Sequence, residues 1–524
     1  METAVARFLA GKLRSDSPLS IHQQKNVDAL LRISDTFHAE AGIRPCRKIP
    51  ISEKLLVIES GHQPNFLPYP GVWKKVFLLH RIKEHLTGTG CNIVAVFGFA
   101  DQNLSTAKLL YENKVPALNK QGYKKFGFRI PETEKWKRFN TLQKPEKDVW
   151  ERELSDFRNH YLQYLPKKEA DSQSVLNTID TLTGILERCY ARSATMADLN
   201  AFIFARICQE LFDLSVFFFR YSDVQQDSLF VDEWKKILGS LPEYNRIYNF
   251  TIREKKLNLP PVTHDLSPFW YHCDCGLKIA LPAGTAPVYN GTCPACKTSY
   301  SFILDSNEEN LVNHMKNMGL SAVARNIIFS EGLGTRLFIS GSGGGLRYGQ
   351  VANEISRRLS MNIPVTLSWQ SRDYYLGVIQ QAAMKDTLRL FNLTYKDLIS
   401  GEFNEKITGF QASLLNRIKN IQQDSQKRED LDRYSGLYRS TGSQLTIIKN
   451  TFSTIPSIID VLVNFDASSI LRQWNNAITC ADIADSGEIV VMKQDICYWR
   501  DSAAAFTLPD IPRIYHSLEL INEP

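Results

Sequence analysis

The stretch LLVIESGHQPNFLPYPGVWKK, residues 55–75, decides the fold of this chain. Its apolar start predicts a buried strand, and its three prolines predict a rigid loop. After Pro70 the apolar residues Val72, Val76 and Leu79 have the spacing of an amphipathic helix. This strand–loop–helix arrangement is the one with which α/β proteins present a site at the carboxyl edge of a parallel sheet.

The loop also carries side chains that suit a binding site. His62 is the only side chain there that titrates near neutrality, which makes it a candidate general base. Gln63 and Asn65 supply amides, and the free N–H groups of the helix start, together with Lys74, favour an anionic ligand. The alternative is a loop stiffened by its prolines, in which the histidine is only a hydrogen-bonded structural group.

Two later segments also predict a buried strand that ends in a polar or glycine-rich loop. Residues 94–103, VAVFGFADQN, predict a second buried strand with a polar tip. Residues 337–350, LFISGSGGGLRYGQ, predict a strand, a glycine-rich turn and a helix. Glycine lets backbone amides approach a phosphate or carboxylate closely, and the helix dipole adds to the attraction. A flexible linker is the alternative. The candidate site residues in these segments are Asp101, Gln102, Ser342, Gly343, Gly344, Gly345, Arg347, Tyr348 and Gln350.

The three segments resemble the signature regions of the bacillithiol-forming, cysteine-adding ligases. In that family a Gly-Gln-Gln-rich loop follows the first strand, where residues 61–64 of this chain read GHQP. The second strand of the family ends in Asp-His, where residues 101–102 read DQ, and Tyr and Gln follow its glycine-rich turn as Tyr348 and Gln350 do here. The resemblance covers about half of the chain.

The resemblance implies a Rossmann-like parallel sheet of the nucleotidyltransferase (HUP) type, related to class I aminoacyl-tRNA synthetases. It also implies a ligase that joins an amino acid, or a similar acyl group, to the amine of a small metabolite; the family's own reaction adds cysteine to a glucosaminyl malate. His62 or Asp101 would act as the base, and adenylate activation by ATP is what the fold relatives suggest. The synthetase-type His-x-Gly-His signature is absent, since residues 68–71 read PYPG. A different substrate is expected because His62 replaces a glutamine of the family loop and because the zinc ribbon described next is not part of the usual ligase.

Four cysteines give the strongest local signal in the sequence. Two close pairs, Cys273 with Cys275 and Cys293 with Cys296, would place four thiolates around a tetrahedral structural zinc on two hairpin tips. The strands around them form a core too thin to fold without metal. One residue separates the first pair where two are usual, which leaves open whether His272 replaces a thiolate. Chance clustering of thiols is the alternative.

The pattern divides the chain into seven segments. They are an N-terminal helical segment (1–50), the first half of the core (51–130), a helical insertion that returns to a core strand (131–264), the zinc ribbon (265–305), the second half of the core (306–380), a helical, coiled-coil-like arm (381–480) and a C-terminal segment (481–524). The heptad register of the arm is short, so a homodimer through the arm and an intramolecular helical hairpin are both open. Residues 126–131 and 215–223 predict two further strands, and Asp223, at the tip of the second, is either a site residue or a turn cap.

The composition of the chain limits the class of protein to which it can belong. Of 524 residues, 43% are hydrophobic and 23% are charged, which is typical of a globular protein. No apolar run is long enough to span a membrane, and the N-terminus lacks the apolar centre of a secretory signal, so a cytoplasmic location is expected. The net charge of +6 permits an anionic ligand without requiring one. Ten cysteines, four of them clustered, favour metal binding plus buried thiols.

Two further hypotheses compete with the ligase. One is a tRNA- or RNA-associated protein that uses the ribbon for contact, with the basic residues between Lys124 and Arg138 as its best surface. It is disfavoured because the ribbon has only two basic residues, Lys278 and Lys297, and phosphate binding normally needs several clustered. The other is a non-catalytic dimeric scaffold.

Overall fold

The computed structural model describes residues 4–13, 18–165, 170–282, 287–305, 307–422, 428–499, 507 and 509–521. Its strands are β1 Leu56–His62, β2 Ile93–Phe99, β3 Glu112–Pro116, β4 Tyr123–Gly127, β5 Phe217–Arg220, β6 Leu266–His272, β7 Lys278–Pro282, β8 Val288–Thr292, β9 Ser299–Ile303, β10 Met318–Leu320, β11 Thr335–Ser340, β12 Val365–Gln370, β13 Asp373–Tyr375, β14 Asp482–Asp485, β15 Ile489–Lys493 and β16 Ile496–Tyr498.

Helices make up most of the remaining described chain. They are α1 Ala4–Leu13, α2 Ile21–Ala41, α3 Pro70–Gly88, α4 Lys147–Leu162, α5 Ala170–Arg192, α6 Met196–Glu210, α7 Tyr221–Gln226, α8 Val231–Gly239, α9 Leu241–Glu254, α10 Glu308–Met315, α11 Ala322–Leu333, α12 Gly344–Arg358, α13 Val378–Phe391, α14 Tyr395–Ile399, α15 Phe403–Gln422, α16 Arg428–Ser453, α17 Ile458–Phe465, α18 Ala467–Cys480 and α19 Asp510–Glu519. No helix among the described residues is long and apolar enough to cross a membrane.

A seven-stranded sheet organises the molecule, with the order β14-β15-β12-β11-β1-β2-β5. Neighbouring strands are parallel throughout, apart from the antiparallel edge pair β14–β15. From β1 the chain runs outward through β2 and β5, and it then returns to the other side of β1 for β11, β12 and β15. The predicted mixed α/β fold with a parallel sheet is therefore confirmed, and the strand order reverses between β1 and β11.

The apolar runs of the central strands form because both faces of the sheet are covered. In β2, Ile93 and Phe97 belong to a core shared with α3 and α6, whereas Val94 and Val96 belong to a second core shared with α2 and α11. A parallel sheet buried on both faces requires near-continuous apolar strands, because successive side chains point to opposite faces.

Two predicted strands have different bounds in the structure. The strand predicted at 126–131 is β4, which ends at Gly127 and pairs with β3 in a separate two-stranded sheet. Gly127 has a φ of 140°, which ends the extended run before Pro131. The strand predicted at 215–223 ends at Arg220, and Asp223 lies in the first turn of α7, where it accepts a hydrogen bond from Arg220 Nε at 2.8 Å.

The helical arm packs within the chain. α15 and α16 contact each other, and α16 also contacts α13 and α19. Phe403 and Ile407 of α15 share one apolar cluster with Leu445, Ile448 and Phe452 of α16. This is the hairpin alternative of the sequence analysis, while a homodimer through the arm stays a prediction.

Candidate functional site

A cavity of about 1080 Å³ opens at the carboxyl ends of β1, β11 and β12, where the strand order reverses. Ligands of open parallel sheets bind in the crevice at this point. The sequence-predicted residues that line the cavity are His62, Gln63, Lys74, Ser342, Gly343, Gly344, Gly345 and Tyr348. Segments that are almost 300 residues apart in the sequence thus meet at one edge of the sheet.

His62 ends β1 and contributes its ring to the cavity lining. Its Nδ1 lies 2.9 Å from the carbonyl oxygen of Gln63. A carbonyl only accepts, so Nδ1 carries the proton and Nε2 is left as an acceptor. Burial, together with the positive charges of Lys75 and Arg325, lowers the pKa of His62 to about 3. The ring is therefore neutral in the free site.

Two cations, Lys75 and Arg325, lie close enough to His62 to lower its pKa. Lys75 Nζ donates to the carbonyl oxygen of Gly61 at 3.0 Å, and the buried Nε of Arg325 has no hydrogen-bond partner. Neither residue forms an ion pair with a carboxylate in the part of the chain that the structure describes. Burial and Arg325 lower the pKa of Lys75 to about 8, because two like charges share a poorly solvated space. A bound anion would relieve this repulsion.

Tyr221 positions Arg325 above the ends of β1 and β2. The guanidinium carbon of Arg325 lies 4.7 Å from the centre of the Tyr221 ring. A Cβ atom at Gly61 would lie 2.7 Å from the Tyr221 hydroxyl, and one at Gly98 would lie 2.6 Å from its Cζ. Glycine is needed at both positions, since any side chain would displace the ring that supports the guanidinium.

The glycine-rich turn supplies backbone donors to the same space. α12 begins at Gly344, and no side chain caps its N-terminus. The first N–H groups of a helix have no intrahelical acceptor, so those of Gly344 and Gly345 are free to bind an anion. The Lys75 side chain borders the turn, because a Cβ atom at Gly341 would lie 3.6 Å from Lys75 Cε.

Lys74 lines the cavity, but its charge is balanced within the chain. Its Nζ lies 2.9 Å and 3.0 Å from the two carboxylate oxygens of Asp373 and 2.5 Å from Ser371 Oγ. Asp373 also accepts a hydrogen bond from the Tyr375 hydroxyl at 3.1 Å. Its neighbour Lys75 donates to a backbone carbonyl instead and forms no ion pair with a carboxylate in the described part of the chain.

Asp101 lies behind the cavity wall and does not line it. Its carboxylate accepts hydrogen bonds from Ser222 N and Asn140 Nδ2, both at 3.2 Å, and burial raises its pKa. This carboxylate therefore has no direct access to a ligand in the main cavity. Four other candidates are also outside the lining, namely Asn65, Gln102, Arg347 and Gln350.

The opposite wall of the cavity was not predicted. It is formed by α16, α19 and the residues after α16, with Phe452, Tyr515 and Leu518 as its apolar part. Ile455 and Tyr69 lie at this cavity with 64% and 38% of their surfaces exposed. Arg325 was missed as well, because it sits within a helix whose sequence carries no signal for ligand binding.

The four cysteines form a candidate metal centre. Cys273 and Cys275 lie in the β6–β7 turn, Cys293 and Cys296 lie in the β8–β9 turn, and all four Sγ atoms are within 4.8 Å of one another. Three of the Sγ–Sγ separations are 3.2, 3.4 and 3.5 Å, close to the roughly 3.8 Å edge of a zinc tetrahedron with Zn–S bonds of about 2.3 Å. Four thiols without a disulfide fit zinc.

His272 lies outside this cluster. Its buried Nε2 has no hydrogen-bond partner, and it packs against β10, where a Cβ atom at Gly319 would be 2.6 Å away. Tyr300, which was not predicted, donates its hydroxyl to Cys273 Sγ at 2.9 Å. Such a partner orients a metal ligand from outside the coordination shell.

The basic residues proposed as a nucleic-acid surface are partly neutralised. Lys125 pairs with Glu112 at 3.4 Å, and Lys137 pairs with Glu134 at 2.7 Å. Ion pairs of this kind reduce the number of uncompensated positive charges that this surface presents to a phosphate backbone.

No protein-family model matches the chain, and no curated protein matches it. The expected kinship with the cysteine-adding ligases therefore depends on the three quoted segments.

Proposed function

We propose that the protein is an enzyme of the carbon–nitrogen bond-forming ligase class with a Rossmann-like core. When the antiparallel edge strand β14 is left out, the six parallel strands β5-β2-β1-β11-β12-β15 have the order 3-2-1-4-5-6 of doubly wound dinucleotide-binding sheets, which supports that core type. The observation that carries the proposal is the cavity at the point of reversal. It combines His62, the free helix N-terminus at Gly344, and the two cations Lys75 and Arg325.

The chemistry is activation of a carboxylate by ATP followed by attack of an amine. First, an oxygen of the amino-acid carboxylate bonds to the α-phosphorus of ATP, and the bond to the β-phosphate breaks, which releases pyrophosphate. Next, the amine nitrogen bonds to the carboxyl carbon, and AMP leaves. The turn at Gly344 and the Lys75 and Arg325 charges stabilise the negative charge that develops on the phosphates.

His62 accepts the proton that the amine loses. Its pKa is low in the free site because of burial and the charges of Lys75 and Arg325. An anion bound to these cations neutralises them and raises the pKa of His62. Binding of the phosphate therefore makes the ring a better proton acceptor, although burial, the main cause of its low pKa, remains.

Zinc, held by Cys273, Cys275, Cys293 and Cys296, has a structural role in this proposal. Four sulfur ligands leave no open position for a substrate, so the metal supplies folding energy to the ribbon.

The test is an ATP-dependent mass gain on an amine, screened over a panel of amino acids and small amines. We expect His62→Ala to lower turnover by about 100-fold or more while ATP binding, measured by calorimetry, persists. Lys120→Ala, a change at an exposed lysine outside the cavity, is the control and should be silent. Absence of both nucleotide binding and mass gain would leave the scaffold hypothesis, and co-purification of tRNA would favour the nucleic-acid hypothesis.

A further inference from the structure

The zinc ribbon places a lysine beside the anion-binding end of the cavity. Lys278, the first residue of β7, lines a polar pocket of about 10 Å³, the size of a single water site, together with Gln102, Gln225 and Arg325. This small cavity and the main one share the residues Ala100, Asn103, Leu320 and Arg325 in their walls. Arg325 therefore lies between the Lys75 side of the site and the ribbon.

Lys278 resembles Lys75 and Arg325 in its charge environment. Its ammonium lies 5.9 Å from the Trp270 ring, and it forms no ion pair with a carboxylate of the described chain. Burial lowers its pKa to about 8, with further contributions from Arg325 and Arg138, and Asp101 opposes the shift. Like charges held together at this depth destabilise the protein unless a ligand neutralises them.

The number of charges indicates the class of ligand. Within the described residues Lys75, Arg325 and Lys278 supply three positive charges that form no ion pair with a carboxylate, although Glu59 acts electrostatically on Arg325 and Asp101 on Lys278. A single carboxylate or a monoester with one ionised oxygen would neutralise only part of this charge. A chain of phosphoryl groups carries several negative charges in a row, which suits cations arranged on either side of Arg325.

The ribbon is fixed to this part of the site by backbone hydrogen bonds. β6 pairs with β10, and β10 leads through Ser321 into α11, the helix that carries Arg325. Arg138 N donates to the carbonyl oxygen of Gly276, in the turn that holds the first cysteine pair, at 2.8 Å. A correctly folded ribbon thus determines where Lys278 stands relative to Arg325.

We propose that Lys278 is a positioning residue for a ligand with two or more linked phosphoryl groups, and that the zinc ribbon is present in this fold to supply it. The inference rests on the proposed function, because it concerns the nucleotide end of the same cavity. It adds that affinity depends on the length of the phosphate chain and on a residue from the ribbon.

The experiment compares AMP, ADP, ATP and inorganic tripolyphosphate by calorimetry on the zinc-loaded, full-length protein. For the wild type we expect affinity to rise from AMP to ATP. Lys278→Met should weaken ATP and tripolyphosphate by roughly tenfold but AMP by less than about twofold. Lys278→Arg, which keeps the charge, should restore most of the affinity.

Lys297→Met is the matched control, because Lys297 is an exposed lysine of the same ribbon and lies outside both cavities. Zinc content and thermal unfolding are measured for each variant, so that loss of the ribbon fold is recognised. Equal weakening of AMP and ATP by Lys278→Met, or no weakening of ATP, overturns the role of Lys278 and leaves the proposed function standing. If the wild type binds none of the four ligands, the result contradicts the proposed function itself, and with it the role of Lys278.

Discussion

Single residues set the electrostatics of the cavity, and Lys75 gives them a pH dependence. Its pKa is lowered to about 8 by burial and by Arg325, whereas an ordinary lysine titrates near 10.4. Below pH 8 the ammonium is charged and attracts an anion, and as the pH rises through 8 the charge is lost. We expect the affinity for ATP to fall by at least about tenfold between about pH 7.5 and pH 9, measured by calorimetry.

The ATP phosphates are fully ionised across this range, so the fall reports the protein. Lys75→Met should bind ATP more weakly at the lower pH and show a smaller fall, with the remainder due to Lys278. An equally steep fall in Lys75→Met would assign the titration to another group.

Residues of the candidate site could be recognised from sequence where the signals for their role lie in neighbouring residues. His62 and the glycines at 343–345 stand out because loop, strand and helix signals surround them. Lys74 and Lys75 could not be separated, since only the position of Asp373 decides which lysine is neutralised. Arg325 gave no signal, because its role comes from stacking on Tyr221, about 100 residues earlier.

In the proposed metal site, folding of the segment β6–β9 depends on the metal–sulfur bonds of its four cysteines. Its cluster of buried apolar residues consists of Leu277 and Ile279 together with two of the cysteines. We expect Cys293→Ser to lower zinc affinity by more than about 100-fold, since loss of an outer-shell partner alone costs about 10–100-fold. Metal analysis and hydrogen exchange should show zinc loss and faster exchange in β6–β9.

Cys480→Ser is the matched control, because Cys480 is exposed in α18, away from the cluster, and should leave both measurements unchanged. Slow exchange in β6–β9 after zinc loss would mean that the ribbon folds without metal.

Helices and strands were predicted best where the hydrophobic periodicity and the turn residues indicated the same boundaries. Both ribbon hairpins follow from cysteine spacing and short alternating strands, and their strands are present as β6–β9. The end of β4 was missed because a glycine conformation, not composition, stops it. The partner of α15 was also open, because an apolar helix face fits a neighbouring helix of the same chain as well as a second copy.

At the scale of the whole molecule, the cavity is completed by α19, a contact that no local pattern predicts. Tyr515 of α19 donates its hydroxyl to the carbonyl oxygen of Tyr375 at 2.7 Å and accepts from Tyr375 N at 2.9 Å. Both backbone groups belong to Tyr375, the buried last residue of β13. One side chain of α19 therefore connects this helix to β13 beside the cavity. The sequence analysis assigned this region only to a C-terminal segment, so neither α19 nor its partner was predicted.

Removing the Tyr515 hydroxyl tests whether this hydrogen bonding holds α19 in place beside the cavity. Tyr515→Phe leaves two buried backbone groups of Tyr375 unsatisfied, so we expect the free energy of unfolding to fall by about 1–3 kcal/mol in chemical denaturation. Hydrogen exchange should accelerate in α19, while ATP affinity should stay within about twofold, because the proposed anion-binding groups belong to α3, α11, α12 and β7 and none belongs to α19. Tyr434→Phe, in α16, is the control, since the Tyr434 ring contact with Arg417 survives loss of the hydroxyl. Unchanged exchange in α19 would mean that its apolar contacts alone hold the wall, and a large loss of ATP affinity would mean that the two sides of the cavity are coupled.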